Sequence, residues 1–439
     1  MTRSDNILIN HRTIWRLALP MILANISVPV LGLVDTAVMG HLASADYLAS
    51  VALGSLIFTF IFWGFGFLRM ATTGLTAQAS GKQDTNLTLG VIQQGVMFAI
   101  AIALLLLLLQ TPIKQFAFSM LDSTPSVIDH AKNYFDIRIW SSPAILINYV
   151  ILGWLIGTEK TKKALYLVLI VNISNMLFDL LFVNALEMTV EGVALASVIA
   201  EYLGLLTGLT FLKSEFLALR SLIPGYADIK GLTNKKWLTL NSNIFIRTLC
   251  LMFSFAFFTA QGAKQGQIIL AANALLLNFI TFMAFVLDGF SNAIEIISGQ
   301  AMGANDRTLL RRGFLLASLW AMILASLFSL GYYLFGTHII SSLTSIPHVI
   351  STANEYLTWL IFIPIIAVWS YLLDGLFIGT TRSKEMRNTM LFSSLCCYLP
   401  VWYSTQFLAN HGLWLALLIF LAARGITQAF YLPKILIMK

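Results

Sequence analysis

Displaced by 222 residues, the chain matches itself in three separate places. Leu48-Ala-Ser-Val-Ala-Leu53 falls on Leu270-Ala-Ala-Asn-Ala-Leu275. The run Gln78-Ala-Ser-Gly81 to Asp84 falls on Gln300-Ala-Met-Gly303 to Asp306, and Gly153-Trp-Leu-Ile-Gly157-Thr158 falls on Gly375-Leu-Phe-Ile-Gly379-Thr380. One register serves all three, so two homologous halves fill the sequence. A fold that must be built twice from one pattern excludes most single-domain architectures. Both halves are strongly apolar, which puts the duplication in a membrane. Internal repeats in membrane proteins point to alternating-access transporters, whose substrate path lies between the repeats.

The class follows from composition. The chain is 58% hydrophobic and 11% charged, with a mean hydropathy of +0.82. A soluble domain carries about 25% charged residues. Apolar runs of about 18 residues or more read as membrane-spanning helices, and the stretch from Gly95 to Gln110 is the clearest. The N-terminus is polar to about residue 12 and the first apolar segment is long, so no cleavable signal is expected. The 27 Lys and Arg against 20 Asp and Glu give +7, a balance that also suits nucleic-acid binders. Here the basic residues sit in short loops between spans, so a nucleic-acid partner is not expected. Cys250, Cys396 and Cys397 lie in apolar segments without metal-ligand spacing and read as small buried residues.

The pattern predicts an all-α integral membrane protein of twelve transmembrane helices, six per half, related as a parallel repeat. Spans are expected near 13–39, 46–78, 88–110, 131–157, 163–184 and 190–212, then 237–261, 268–300, 312–335, 353–379, 387–408 and 411–437. Residues 1–217 form an N-lobe, 218–236 a cytoplasmic linker with Pro224-Gly225, and 237–439 a C-lobe. The ends and the connections after even spans hold 20 Lys and Arg, whereas those after odd spans hold only Lys114, Lys132 and Lys264. Both termini are therefore expected in the cytoplasm. Six spans per half is an even number, so both halves enter from one side.

An ionisable group in a span costs a few kcal/mol by insertion scales and is a functional candidate by default. Candidates are Asp35, Arg69, Asp136, Arg138, Asp179, Glu201, Arg247, Asp288, Glu295, Asp374 and Arg424. Arg69, Arg138 and Arg424 are expected to snorkel or pair. The first span holds Pro20, Pro29 and then Asp35-Thr36, and two prolines free carbonyls and kink a helix. In the fifth span Asn172, Asn175 and Asp179 are three and four apart, so they share a face that cannot meet lipid. A carboxylate beside neutral oxygens can hold a proton or a small cation. The acids have no counterpart one repeat later, where Phe257 and Val401 stand, so the first half is the expected coupling lobe. Asp288 and Glu295, seven apart, and Asp374 form the polar set of the second half, for coupling or for pairing with Arg247 or Arg424.

These residues resemble a known family, the multidrug and toxic compound extrusion (MATE) transporters, nearest the bacterial branch named for DNA-damage-inducible protein F. The carriers are Leu17 to Pro20, Val34-Asp35-Thr36-Ala-Val-Met-Gly40-His41-Leu42, Gln78 to Gly81, Asn175 to Asp179, Leu287 to Phe290, Gln300 to Gly303 and Asp374 to Thr380. Each piece is short; their order and spacing together are specific. The resemblance implies two six-helix bundles around a central cleft, in a bacterial inner membrane. It implies export of organic, often cationic, drugs or dyes by antiport. It also implies a coupling site of Asp35 and Asp179 joined by Asn175 and Ser197, a hydrogen-bonding Tyr134, and a first helix that bends at Pro20. The chain departs from other branches in lacking an acid in the seventh span, where Arg247 is the only charge inside the span. No cofactor is implied beyond the coupling ion, a proton or alternatively sodium, and a monomer is expected.

Two nearby buried carboxylates cannot easily both ionise, so at least one is expected to exchange a proton. Aromatic residues Phe58, Phe60, Phe62, Phe65, Phe67, Phe279, Phe282 and Phe285 with Met283 would suit an adaptable substrate cavity, or plain packing. A lipid-linked intermediate flippase is the runner-up. An enzyme is not expected, because the six histidines fall near span ends or loops and no nucleophile or metal constellation appears.

Overall fold

We describe the protein from a computed structural model that defines residues 9–40, 44–121, 123–218 and 234–437. Among these residues all regular structure is helical. Lipid offers no partner to a backbone amide, so an apolar chain must satisfy its own groups, and a helix does so within one segment. The first half opens with α1 (His11–Gly40). The pair α2 (Ala45–Gly64) and α3 (Phe67–Gly81) follows, with a one-turn irregularity at Phe65-Gly66 inside one span. Then come α4 (Thr85–Leu108) and a short helix α5 (Gln110–Ser119), which the apolar pattern does not predict. The fourth span joins α6 (Pro125–Arg138) to α7 (Ser142–Gly157) through a 3-10 turn. The half closes with α8 (Thr161–Asp179), a π-helical turn Leu180–Ala185, and α9 (Val190–Ala218).

The second half has α10 (Asn234–Lys264), α11 (Gln267–Ala304), α12 (Arg307–Leu343) and α13 (Pro347–Gly379). Next come α14 (Ser383–Phe392), a π-helical turn Ser393–Tyr398 and α15 (Leu399–Ser404), and last α16 (Asn410–Ala429) and α17 (Leu432–Leu436). Among the described residues, eleven helical runs are long and apolar enough to cross a membrane as they stand. The twelfth, 383–404, is helical throughout, but its π turn cuts it into α pieces of 10 and 6 residues. The protein is an all-α membrane protein of twelve spans. Several helices outrun their predicted ends: α12 continues to Leu343 rather than 335, and α13 starts at Pro347 rather than 353. Hydropathy reports the hydrocarbon thickness, about 30 Å, whereas caps end the helix wherever the chain supplies them.

The repeat is written into the backbone. Asp84 caps α4 by accepting from Leu87 N at 2.9 Å, and 222 residues later Asp306 caps α12 by accepting from Leu309 N at 2.9 Å. Among the described residues, the non-glycine ones with positive φ fall into three pairs at the same offset: Gln83 and Asn305, Glu159 and Thr381, Glu187 and Ala409. Close approaches repeat too. A methyl group on Gly153 would overlap the carbonyl oxygen of Arg69, and one on Gly375 would overlap that of Ser291, again 222 residues on.

Compactness divides the chain into two units: Leu23–Ala79 with Asp84–Asn234, and Met1–Ile22 with Ser80–Gln83 and Lys235–Lys439. The N-lobe drawn from sequence as 1–217 includes Met1–Ile22; the first compact unit does not. Residues 219–233, most of the expected 218–236 linker, lie outside the described residues, as do 41–43. In the second unit the start of α1 is held by Trp15, whose ring meets Phe290 at 5.3 Å and Trp320 at 5.2 Å, both edge-on.

The core of the first unit is aromatic. Phe58 stacks on Phe62 at 5.6 Å and on Phe135 at 5.0 Å, among Ile139, Ile145, Val183 and Val193. These two phenylalanines of the expected cavity are therefore packing residues, while Phe60 is exposed. Residues two apart on a helix point away from each other, so the Phe58-Phe60-Phe62 series cannot line one surface. In the second unit Phe279 and Met283 are buried and Phe282 is exposed. Cys396 is exposed rather than buried.

Candidate functional site

In the first unit α1 and α8 bring two acids together. Asp179 is the last residue of α8, wholly buried, and the π-helical turn begins immediately after it. Such local widenings often mark functional positions because they re-aim side chains. Asp35, half-buried on α1, lies within hydrogen-bond reach of Asp179. Neither carboxylate oxygen of Asp179 meets a hydrogen-bond donor among the described residues, and Asp35 Oδ1 is buried in the same condition. Acceptors that face each other without a donor need a proton or a cation between them.

Four elements surround the pair. Asn175 Nδ2 on α8 donates to Ser197 Oγ on α9 at 3.0 Å, and Asn175 Oδ1 is a further buried acceptor without a donor among the described residues. Arg138, at the end of α6, is close enough to act electrostatically on both Asp35 and Asp179. Its field also reaches Glu201 on α9 and Tyr149 on α7, and Arg69 on α3 acts on Tyr149 as well. Glu201 is fixed by Asn148, whose Nδ2 donates to Glu201 Oε2 at 3.1 Å and to the Glu201 carbonyl at 3.0 Å.

The structure thus joins Asp35 to Asp179 and Asn175 to Ser197. The Tyr134 hydroxyl accepts from Ser55 Oγ at 3.1 Å, and its ring fills the space beside Gly54. Pro20 is buried in an α1 that runs unbroken from His11 to Gly40. Asp136 pairs with Lys114 at 2.7 Å in a half-exposed position. Reasoning from sequence did not foresee Arg138 as the shared counter-charge or Asn148 as the partner of Glu201. The available signal for the latter was an amide inside the apolar run Ala144 to Ile156.

The second unit presents different chemistry. Asp374 on α13 accepts from Arg247 on α10, from Arg424 Nη2 on α16 at 2.8 Å and from Gln428 Nε2 at 2.6 Å. Asp374, Arg247 and Arg424 are all buried. Three donors thus engage this carboxylate, with at least one on each oxygen. Glu295 is buried on α11, and half-buried Asp288 lies one helical turn before Asn292, which donates to its carbonyl at 2.8 Å. Where Asp35 has its counterpart, Phe257 packs edge-on against Trp402 at 4.9 Å. No group of three or more His, Cys, Asp or Glu able to hold a metal exists among the described residues.

A duplicated set of six spans, with two acids brought together inside one copy, is the architecture of a membrane transporter. The chain belongs to the MatE family, whose model it matches over residues 20–181 and 244–404. It is 43% identical over 421 residues to the DNA damage-inducible protein F of Escherichia coli (strain K12), covering 96% of this chain and 91% of that one. It is 24% identical over 442 residues to the probable multidrug resistance protein NorM of Geobacillus kaustophilus, covering 97% and 95%. Its fold superposes with a TM-score of 0.87 on an outward-facing multidrug resistance MATE family transporter, at 17% identity and with 100% and 99% of the chains covered. The same score is reached with a MATE crystal structure in complex with MaD3S, at 16% identity and the same coverage. Relatives in this family are transporters, not enzymes.

Proposed function

We propose that this transporter exports organic, often cationic, compounds across a bacterial inner membrane in exchange for protons, with both termini cytoplasmic. The observation that carries the reading is the Asp35–Asp179 pair, a half-buried and a buried carboxyl within hydrogen-bond reach of each other, with no donor to either oxygen of Asp179 or to Asp35 Oδ1 among the described residues. Two unit charges about 4 Å apart repel by about 4 kcal/mol at an effective dielectric of about 20, so the pair favours taking up one proton. Formal charge agrees. Asp35, Asp179 and Glu201 set against Arg138 and Arg69 leave one negative charge, which one proton cancels. A cationic drug and a proton then compete for the same unit of charge.

In this reading Asn175, Ser197 and Tyr134 belong to the coupling site with the pair, and Pro20 is the point at which α1 bends when the pair changes charge. Sodium is the competing coupling ion, because Asn175 Oδ1 adds a neutral oxygen to the two carboxyls. Asp374 does not serve as a coupling acid in this reading, since its oxygens are already occupied; Asp288 and Glu295 act in the second unit without exchanging the ion. The energy available is adequate: one charge moved through 100 mV yields about 2.3 kcal/mol.

Ethidium efflux from cells, with pH and sodium gradients imposed separately, tests the proposal. Efflux should follow the pH gradient and stop when it is collapsed, and Asp35→Asn should abolish it. Efflux that persists without the pH gradient and follows sodium would replace the proton with sodium.

A further inference from the structure

Two ties connect α1 to α8 in the first unit. One is the carboxyl pair Asp35–Asp179. The other involves no titratable group: Asn172 Nδ2 donates to Ser27 Oγ at 2.6 Å, and Ser27 Oγ donates to the Ala24 carbonyl at 2.6 Å. Eight residues separate Ser27 from Asp35 and seven separate Asn172 from Asp179, so at about 1.5 Å per residue both ties advance by nearly the same distance. They therefore join one face of α1 to one face of α8 in a single register. Between the ties on α1 stands Pro29, which removes a backbone hydrogen bond and weakens the helix there. The back-bond from Ser27 to Ala24 favours bending at the same place.

Asn172 is buried, only 6% exposed. An amide and a hydroxyl in an apolar span are costly unless they satisfy each other, and two aliphatic side chains would fill the space without that cost. The position thus holds a directional contact where packing alone does not call for one. We propose that the Asn172–Ser27 bond is the fixed point of α1 on α8, from which the helix beyond Pro29 carries Asp35 to its meeting with Asp179. Asn172 is then a positioning residue for ion coupling. This rests on the proton-coupled reading above. The charged and titratable groups around the pair are Arg138 from α6, Glu201 from α9, Tyr149 from α7 and, acting on Tyr149, Arg69 from α3.

The test uses the full-length protein in proteoliposomes with ethidium as the probe, counting protons exchanged per ethidium moved and recording the pH profile of transport. Asn172→Ala and Ser27→Ala should each keep ethidium binding within about twofold of wild type yet lower the proton count and shift the profile. The double variant should be no worse than either single one, because both delete the same bond. Ser27→Thr, which keeps the hydroxyl, should behave as wild type. If Asn172→Ala does not fold, Ser27→Ala with its threonine control carries the test alone. Wild-type proton counts and pH profile in Ser27→Ala or Asn172→Ala, or additive losses in the double variant, would overturn the proposal. Asp35→Asn separates the two claims. Undiminished proton exchange in that variant sinks the proton reading itself; lost exchange there beside normal exchange in Asn172→Ala sinks only the positioning role.

Discussion

Arg424 donates to Asp374 at 2.8 Å in the buried interior of the second unit, and Arg247 shares the same carboxylate oxygen. Removing one partner of a buried ion pair leaves an uncompensated charge, at a cost of about 3–5 kcal/mol. Asp374→Asn should therefore lower the unfolding temperature in mild detergent sharply. The fraction that folds should retain proton-driven ethidium transport. A variant of native stability that has lost transport would instead make Asp374 a coupling residue.

The repeated close approaches make a paired steric prediction. Gly153→Ala and Gly375→Ala each push a methyl group into a backbone carbonyl, of Arg69 and Ser291 respectively. Both variants should lose folded yield. Gly331→Ala, where nothing lies within 4 Å of the added carbon, should express normally. Fluorescence-detected size exclusion of the three variants measures this, and equal yields would contradict it.

Asp84 and Asp306 cap their helices identically in the two halves. Replacing either by alanine should cost about 1 kcal/mol. The two losses should add, since each aspartate bonds only the first turn of its own helix and the two caps share no hydrogen-bond partner. Chemical unfolding of the two single variants and the double variant checks the sum.

Asn273 and Asn410 exchange reciprocal hydrogen bonds of 2.8 and 2.9 Å, and Trp414 Nε1 donates to Asn273 Oδ1 at 2.9 Å. Asn273→Leu strands the Asn410 amide and the indole N–H, an expected loss of about 1–3 kcal/mol. Adding Asn410→Leu removes one stranded amide and should recover part of that loss in the same unfolding assay.

The duplication was legible because it sits in the order of small and polar residues, which backbone turns at Gln83 and Asn305 or Glu159 and Thr381 demand in both halves. Asp35 and Asp179 were legible because charge inside an apolar run is conspicuous. The pairing of Asp374 with Arg247 or Arg424 was one of two readings, and the structure gives both arginines to it. Other features depend on which helix faces which, and apolar periodicity in a membrane carries little of that. Lipid and protein interior are equally greasy, so Phe60 on the surface and Phe58 in the core look alike in sequence. For the same reason the sequence left Arg138 to snorkel or to pair without naming a partner, and its field reaches three carboxyls. The span 383–404 kept its place while its π turn went unseen, since a widened turn leaves no mark on composition.

Competition between one proton and one drug molecule is the heart of the account, and calorimetric titration of the purified protein with ethidium across pH measures it directly. If the proton and the drug exclude each other, affinity weakens by about tenfold per pH unit on the acid side, and binding releases close to one proton to the buffer. In Asp179→Asn the affinity should become independent of pH and no proton should be released. Wild-type binding that releases no proton, and whose affinity ignores pH while following the sodium concentration, would contradict the account.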